Sequence, residues 1–280
     1  MIKKTILITG SKGFIGSHIQ KKLSNEYSIY KKNNNSLNLL DRKNILRMKK
    51  VDFVIHAAAK TPGKNNLHSN DFHENNVIGT LNILDYCVKN NIKKLIYISS
   101  FVYGKPRYNP IDEIHPINPH TEYTKSKFLA EELCRIYSKL YKLNIIILRP
   151  FGIFGKSQKS EYIIPNLINS IKNKKQILIM NKKSRRDFLF INDFVDVISK
   201  TLKKNFKFEI FNVGSGISYS FEEIIQKIEA ISSSKIKTKF VDDKNTYIPE
   251  IQADVNKIQK ALNWKPNTNI DDALNEMLNN

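Results

Sequence analysis

Tyr123 and Lys127 stand four residues apart in Tyr123-Thr-Lys-Ser-Lys127, the spacing that puts two side chains on one face of a helix. A lysine ammonium held near a phenol favours the phenolate and lowers a pKa that is otherwise about 10. Such a pair can pass a proton in an alcohol–ketone interconversion. Far upstream, Gly10-Ser-Lys-Gly13-Phe-Ile-Gly16 spaces three glycines as Gly-x-x-Gly-x-x-Gly, one residue wider at the first gap than the common Gly-x-Gly-x-x-Gly fingerprint. The first two glycines let the backbone turn and approach a phosphate, and the third lets helix and strand pack closely. A dinucleotide pyrophosphate is the ligand expected at that turn. Either pattern alone is weak in so lysine-rich a chain. Their order, with Ser99-Ser100 ending an intervening apolar run, is what points to chemistry.

The elements that must position these residues follow from hydrophobic periodicity. Short apolar runs predict strands over 5–9, 27–31, 52–57, 94–99 and 144–148. Helical spacing predicts helices over 14–23, 42–48, 72–89 and 121–142, with Leu81, Leu84 and Val88 on one and Phe128, Leu129, Leu133 and Ile136 on another. This alternation is the pattern of a Rossmann-type α/β fold, a doubly wound parallel sheet. The glycines then fall after the first strand, the serine pair after the fourth, and the tyrosine on the following helix. Beyond Arg149-Pro150 the elements shorten. Helices are expected over 163–172, 192–203, 221–230, 255–262 and 270–278, and strands over 176–179, 210–213 and 237–241. The division is therefore 1–150, a dinucleotide-binding domain, and 151–280, a smaller α+β substrate lobe partly interleaved with the sheet.

Composition excludes several classes. The first strand begins almost at the start, leaving no room for a signal peptide, and no apolar run reaches the roughly 18 residues of a spanning helix. Cys87 and Cys134 fall on expected helices without metal-ligand spacing, so no metal is expected. A soluble, reducing, cytoplasmic setting is. The net charge of +20 comes from 46 lysines and arginines against 26 acidic residues. It raises nucleic acid as a partner, but the charge is mostly lysine, spread along the chain, without arginine–aromatic interleaving or a basic tail. Nucleic acid is thus disfavoured, and an anionic small substrate would gain from the same field.

On these motifs the chain resembles the extended short-chain dehydrogenase/reductase family, the epimerase/dehydratase group that acts on nucleotide sugars. The resemblance runs through 9–16, Val54-Ile-His-Ala-Ala-Ala59, 76–80, 98–104, 123–127, 148–155, 185–188, 211–216 and 262–266. It implies a nucleotide-diphosphate sugar as substrate and hydride transfer with a nicotinamide cofactor. Cofactor contacts would come from Gly10, Lys12, Gly13, Phe14, Ile15, Gly16, Lys32, Asn38, Leu39, Ala57, Ala58, Ala59, Asn76 and Lys127. Tyr123 would exchange the proton, Lys127 would tune it and hold the nicotinamide ribose, and a serine would orient the reacting oxygen. Counting back four from Tyr103 gives Ser99; counting forward along the strand gives Ser100. Ser99 is the favoured of the two. Arg186 would meet the substrate diphosphate, and Asp254 would border the nucleotide pocket. His56 would line the cofactor groove or pack there. The helices over 72–89 and 121–142 would pair two copies as a homodimer.

Departures from the family narrow the reaction. Its 4,6-dehydratases carry an Asp-Glu pair where this chain has Ser100/Phe101 and Val102, and its GDP-fucose synthases carry a cysteine in the place of Phe101. Dehydration and double epimerisation are therefore disfavoured, leaving hydride transfer at one carbon, C4. An NAD-preferring site usually has an acidic residue ending the second strand. Here Tyr30-Lys31-Lys32-Asn33 has none, and Lys12 lies between the first two glycines, so NADP(H) is favoured over NAD(H). An NADPH-dependent 4-keto-sugar reductase leads slightly over an NAD-dependent 4-epimerase. A catalytically silent RNA-binding or scaffold member of the fold is the rival from another class.

Overall fold

Thr5-Ile-Leu-Ile-Thr9 supplies β-branched and aliphatic side chains that pack on both faces of a pleated sheet. It forms the first strand of a computed structural model that describes residues 3–30, 37–63, 68–244 and 247–279. In chain order the first elements are β1 (Thr5–Thr9), α1 (Phe14–Leu23), β2 (Ser28–Tyr30), α2 (Arg42–Leu46), β3 (Phe53–His56) and α3 (Ser69–Phe72). A π-helical segment, His73–Ile78, leads into α4 (Gly79–Lys89), followed by β4 (Lys94–Ile98), α5 (Glu122–Tyr141) and β5 (Ile145–Pro150). Then come β6 (Gly152–Phe154), α6 (Ile163–Asn173), β7 (Ile177–Met180), β8 (Arg185–Phe190), α7 (Ile191–Lys203) and β9 (Phe208–Val213). The last are β10 (Ser218–Ser220), α8 (Phe221–Ser232), β11 (Thr238–Val241), β12 (Glu250–Ile251), α9 (Asn256–Leu262) and α10 (Ile270–Leu278).

The chain forms two compact units. The first comprises Met1–Gly104, Ile117–Arg149 and Val195–Phe211; the second comprises Lys105–Pro116, Pro150–Phe194 and Asn212–Asn280. In the first, six strands run in the order β2-β1-β3-β4-β5-β9, with parallel pairing from β2 through β5. This is the Rossmann-type sheet expected from the sequence. Strand order reverses at β1, so the carboxyl ends of β1 and β3 flank the switch point where such sheets bind ligands. Leu7, Val54, Leu84, Leu95, Ala130 and Ile145 share one buried cluster that joins β1, β3, β4 and β5 to α4 and α5. Each large aliphatic side chain there contributes about 1.5–3 kcal/mol by leaving water. Lys94 is buried at the start of β4, where its ammonium donates to the carbonyls of Thr201 and Leu202 at 3.0 Å each and to that of Lys204. A cation thus satisfies the orphan carbonyls ending α7.

In the second unit β8 lies between β10, antiparallel to it, and β12, parallel to it, while β6 also pairs with β8. β11 and β7 form a separate parallel pair. Strands β6, β8, β10 and β12 escape periodicity because they are short or open with polar residues: Arg185-Arg-Asp begins β8 and Ser218-Tyr-Ser is all of β10. The helix expected over 72–89 instead starts at Ser69 and widens into the π-helical segment. There Thr80 Oγ1 donates to the Asn76 carbonyl at 2.6 Å. None of the described helices is long and apolar enough to cross a membrane.

Candidate active site

The turn after β1 is built for close backbone approach. Gly10 has φ +70°, a left-handed conformation that favours glycine. A Cβ there would lie 2.8 Å from the Ala58 backbone, and one at Gly16 would overlap the Gly10 carbonyl and lie 2.9 Å from Ser11 Cα. Gly13 caps α1 without any side-chain hydrogen bond, leaving first-turn N–H groups available to an anion. The cradle fits the pyrophosphate of a dinucleotide. Phe14 and Ile15 are half-buried on the first turn of α1, and Lys12 stands exposed in the glycine turn. Lys32 lies outside the described residues. Asn38 is exposed and its side chain accepts from Leu40 N at 3.0 Å. The Leu39 side chain is buried in the core cluster.

Behind the glycine turn, a directed hydrogen-bond chain ties β1 to β3 and α4. Thr80 spends its proton on the Asn76 carbonyl, so it accepts from His56 Nε2–H at 3.0 Å. His56 Nδ1 must then accept from Thr9 Oγ1 at 2.6 Å, and that oxygen accepts from Ala58 N at 3.2 Å. Burial, aided by the Lys127 cation, lowers the His56 pKa to about 3. His56 is therefore a neutral strut holding Ala57, Ala58 and Ala59 beside Gly10. Asn76, also buried, accepts from Lys60 N at 2.8 Å and donates to Lys60 O at 3.1 Å and Ser126 Oγ at 2.9 Å. Ser126 in turn donates to the Tyr123 carbonyl at 2.7 Å. The π-helical segment is thereby latched to the first turn of α5.

Thr121 accepts from Thr124 N at 3.1 Å and caps α5, so that helix begins just before Tyr123. Tyr123 and Lys127 both lie on it, one turn apart. Tyr123 is half-buried, its ring meeting that of Phe72 edge-on with centroids 6.1 Å apart. Lys127 is buried, its ammonium 4.3 Å from the centre of the Tyr97 ring and donating to Ile98 O at 2.7 Å. Burial lowers its pKa to about 7, against the pull of Glu131, which favours the ammonium.

The two serines part company here. Ser99 is buried and donates its hydroxyl to Glu131 Oε1. Ser100 is half-buried and makes no side-chain hydrogen bond among the described residues. Glu131 takes Arg149 Nε at 3.0 Å and NH2 at 2.6 Å, and Arg149 NH1 donates to the Tyr103 hydroxyl at 2.8 Å. Hydrophobic periodicity gives no sign of either member of this buried ion pair. The available signal was spacing: Glu131 is four residues beyond Lys127 and shares its helix face.

In the second unit Arg186 is half-buried on β8, opposite Tyr219 and Ile251. Its NH1 donates to the carbonyls of Arg185 at 2.7 Å and Ile248 at 3.1 Å, and its guanidinium lies 5.5 Å from the Phe221 ring. Arg185 is paired with Glu223 and Glu250, whereas Arg186 has no ion pair among the described residues. Asp254 is half-buried and accepts from Asn256 N at 2.8 Å. Asp187, between these motifs, is a buried knot. It accepts from Ser215 N and Oγ, Gly216 N and Ala253 N.

The parallel sheet, the glycine turn at its switch point and the tyrosine–lysine helix beside a serine pair make up a Rossmann-type fold. The chain belongs to the NAD dependent epimerase/dehydratase family, whose model matches residues 6–214. It is 35% identical to a dTDP-D-glucose 4,6-dehydratase of Dictyostelium discoideum over 81% of this chain and 62% of that protein. It is 29% identical to a GDP-6-deoxy-D-talose 4-dehydrogenase of Aggregatibacter actinomycetemcomitans, over 92% and 90%. Among solved structures, the UDP-N-acetylglucosamine 4-epimerase of Methanobrevibacter ruminantium, in complex with UDP-N-acetylmuramic acid, superposes with a TM-score of 0.89. That pair shares 26% identity over 100% of this chain and 98% of the other.

Proposed function

We infer that this enzyme moves hydride at C4 of a nucleotide-diphosphate sugar, acting as an NADP(H)-dependent 4-keto-sugar reductase. The observation that carries the reading is Lys127. Its charge is buried on the helix that carries Tyr123 and anchored at the root of the serine pair. A nicotinamide dinucleotide in the glycine cradle supplies the hydride exchange. Tyr123 moves the proton at the C4 oxygen. The Lys127 ammonium favours the phenolate electrostatically. Ser100 orients the reacting oxygen. We assign this to Ser100 rather than the favoured Ser99 because the Ser99 proton is already committed to a buried carboxylate. Arg186 holds the diphosphate with a guanidinium that, among the described residues, no carboxylate neutralises, and Asp254 borders the nucleotide.

Similarity to a 4,6-dehydratase does not carry its chemistry here, because Phe101 and Val102 cannot move protons. Exposed Lys12 supports the NADP(H) preference by meeting a 2′-phosphate. The second reading, an NAD-dependent 4-epimerase, rests on the likeness to a UDP-sugar 4-epimerase over the whole chain. Denaturing the purified protein and identifying any released nucleotide separates them. An empty protein that binds NADPH more tightly than NADH fits the reductase, and stoichiometric NAD⁺ overturns it in favour of the epimerase. Leu129, Ile136 and Leu140 are exposed along one face of α5, which suits pairing of two copies. Light scattering that finds a monomer removes the homodimer.

A further inference from the structure

Ser99, Glu131, Arg149 and Tyr103 form one buried network behind the serine pair. Ser99 is 4% exposed, Arg149 2%, and Glu131 and Tyr103 0%. Ser99 and Tyr103 bracket a segment with no regular secondary structure, and the network grips both ends of it. Glu131 receives the Ser99 hydroxyl, while Arg149, bidentate on Glu131, reaches the Tyr103 hydroxyl at 2.8 Å. Arg149 also lies 5.0 Å from the centre of the Tyr103 ring. Ser99 N donates to Leu148 O at 2.8 Å, tying the near end to the strand that carries Arg149. A buried ion pair is a poor source of stability, because desolvation cancels most of its attraction, and apolar residues of similar volume usually hold a fold as well. Retention of this pair needs another reason.

We propose that Glu131, clamped by Arg149, is a positioning residue of the active site. It fixes the path of residues 99–103, and with it the placement of the Ser100 hydroxyl relative to the Lys127 ammonium. The proposal rests on the reading of Ser100 and Lys127 given above. The geometry is direct, since Lys127 donates to Ile98 O, one residue before Ser99, and Glu131 follows Lys127 by one helical turn. One carboxylate thus anchors the strand end and sets the field at the lysine. The other titratable groups that meet Lys127 are Tyr97 from β4, neutral His56 from β3 and Cys134 from α5, with Tyr123 one turn before it on the same helix, while Arg149 from β5 meets Glu131. Among the described residues, Glu131 is the one carboxylate that acts on it.

The test replaces the pair with apolar side chains of similar volume, Glu131→Met with Arg149→Met, and compares the variant with the full-length wild type. Its thermal midpoint should stay near that of the wild type. In protein labelled with ¹³C at lysine Cε, the Lys127 signal, assigned from Lys127→Met, should titrate lower once the carboxylate that favours its ammonium is gone. With a substrate nucleotide sugar, kcat should fall about a hundredfold with KM little changed, and the alkaline limb of its pH profile should move down with the lysine. A folded double variant with unchanged titration and kcat overturns the proposal. Should the double variant unfold, Tyr103→Phe removes one hydroxyl from the far grip. It should lower kcat severalfold without changing cofactor affinity, and wild-type kcat there overturns the proposal. The lysine titration needs no substrate. A wild type inert toward every nucleotide sugar therefore sinks the proposed reaction without touching this result.

Discussion

The ammonium of Lys127 donates to the carbonyl oxygen of Ile98 at 2.7 Å, which roots the lysine at the end of β4 before any substrate arrives. Its side chain spans from helix to sheet between Tyr97 and Glu131, and little rotamer freedom is left to lose during turnover. The same contact fixes how α5 sits on the strand that delivers the serines. On the proposed function, chemistry and packing share this one side chain.

The glycine cradle gives the first prediction. A methyl at Gly16 would overlap the Gly10 carbonyl, which the left-handed backbone of Gly10 holds in place. Gly16→Ala should lower the thermal midpoint and abolish binding of NADPH and NADH, measured by calorimetry. Normal affinity for either would show that the turn after β1 is not the pyrophosphate site.

His56 predicts a pH dependence of stability. Its folded pKa of about 3 lies below the ordinary value of 6.5, so below pH 6.5 the unfolded chain takes up a proton that the folded chain refuses. The stabilisation is complete above about pH 6.5 and fades as pH falls toward 3, by about 1.4 kcal/mol per pH unit at most. Urea unfolding of the wild type should show this slope, and His56→Gln should lack that share of it. Identical slopes would mean that His56 charges freely in the folded state.

Arg186 should act on binding rather than on chemistry. Arg186→Ala should raise the KM for the nucleotide sugar about tenfold to hundredfold, the value of a charge-assisted hydrogen bond of about 1.5–3 kcal/mol, with kcat largely kept. Arg186→Lys should recover only part, because an ammonium lacks the planar fork. An unchanged KM in Arg186→Ala would leave the arginine a structural role beside Phe221.

Much of the fold was legible because the buried strands are aliphatic runs and the helices carry a clear apolar stripe. Thr5–Thr9, Phe14–Leu23 and Ile270–Leu278 are bounded as periodicity places them. The short strands of the second unit were not, since Ser218–Ser220 and Glu250–Ile251 owe their form to pairing with β8 rather than to their own side chains. At the site, glycines, tyrosine and lysine announce themselves by spacing. The commitment of Ser99 does not, because it depends on Glu131 and Arg149, which arrive from a helix and a strand distant in sequence. Counting from Tyr103 favours Ser99, and only the fold shows that a buried carboxylate already holds its hydroxyl.

The most direct test follows the sugar itself. Wild type and Tyr123→Phe, each supplied with NADPH and NAD⁺, are incubated with UDP-, dTDP- and GDP-linked hexoses and their 4-keto forms while proton NMR monitors C4. The wild type should reduce a 4-ketone or invert a C4 hydroxyl in at least one of them. Tyr123→Phe should lose about 10²- to 10⁴-fold in rate while binding cofactor normally. No change at C4 with any sugar, or an equal change in Tyr123→Phe, would contradict the assignment of Tyr123 as the proton carrier of a C4 oxidoreduction.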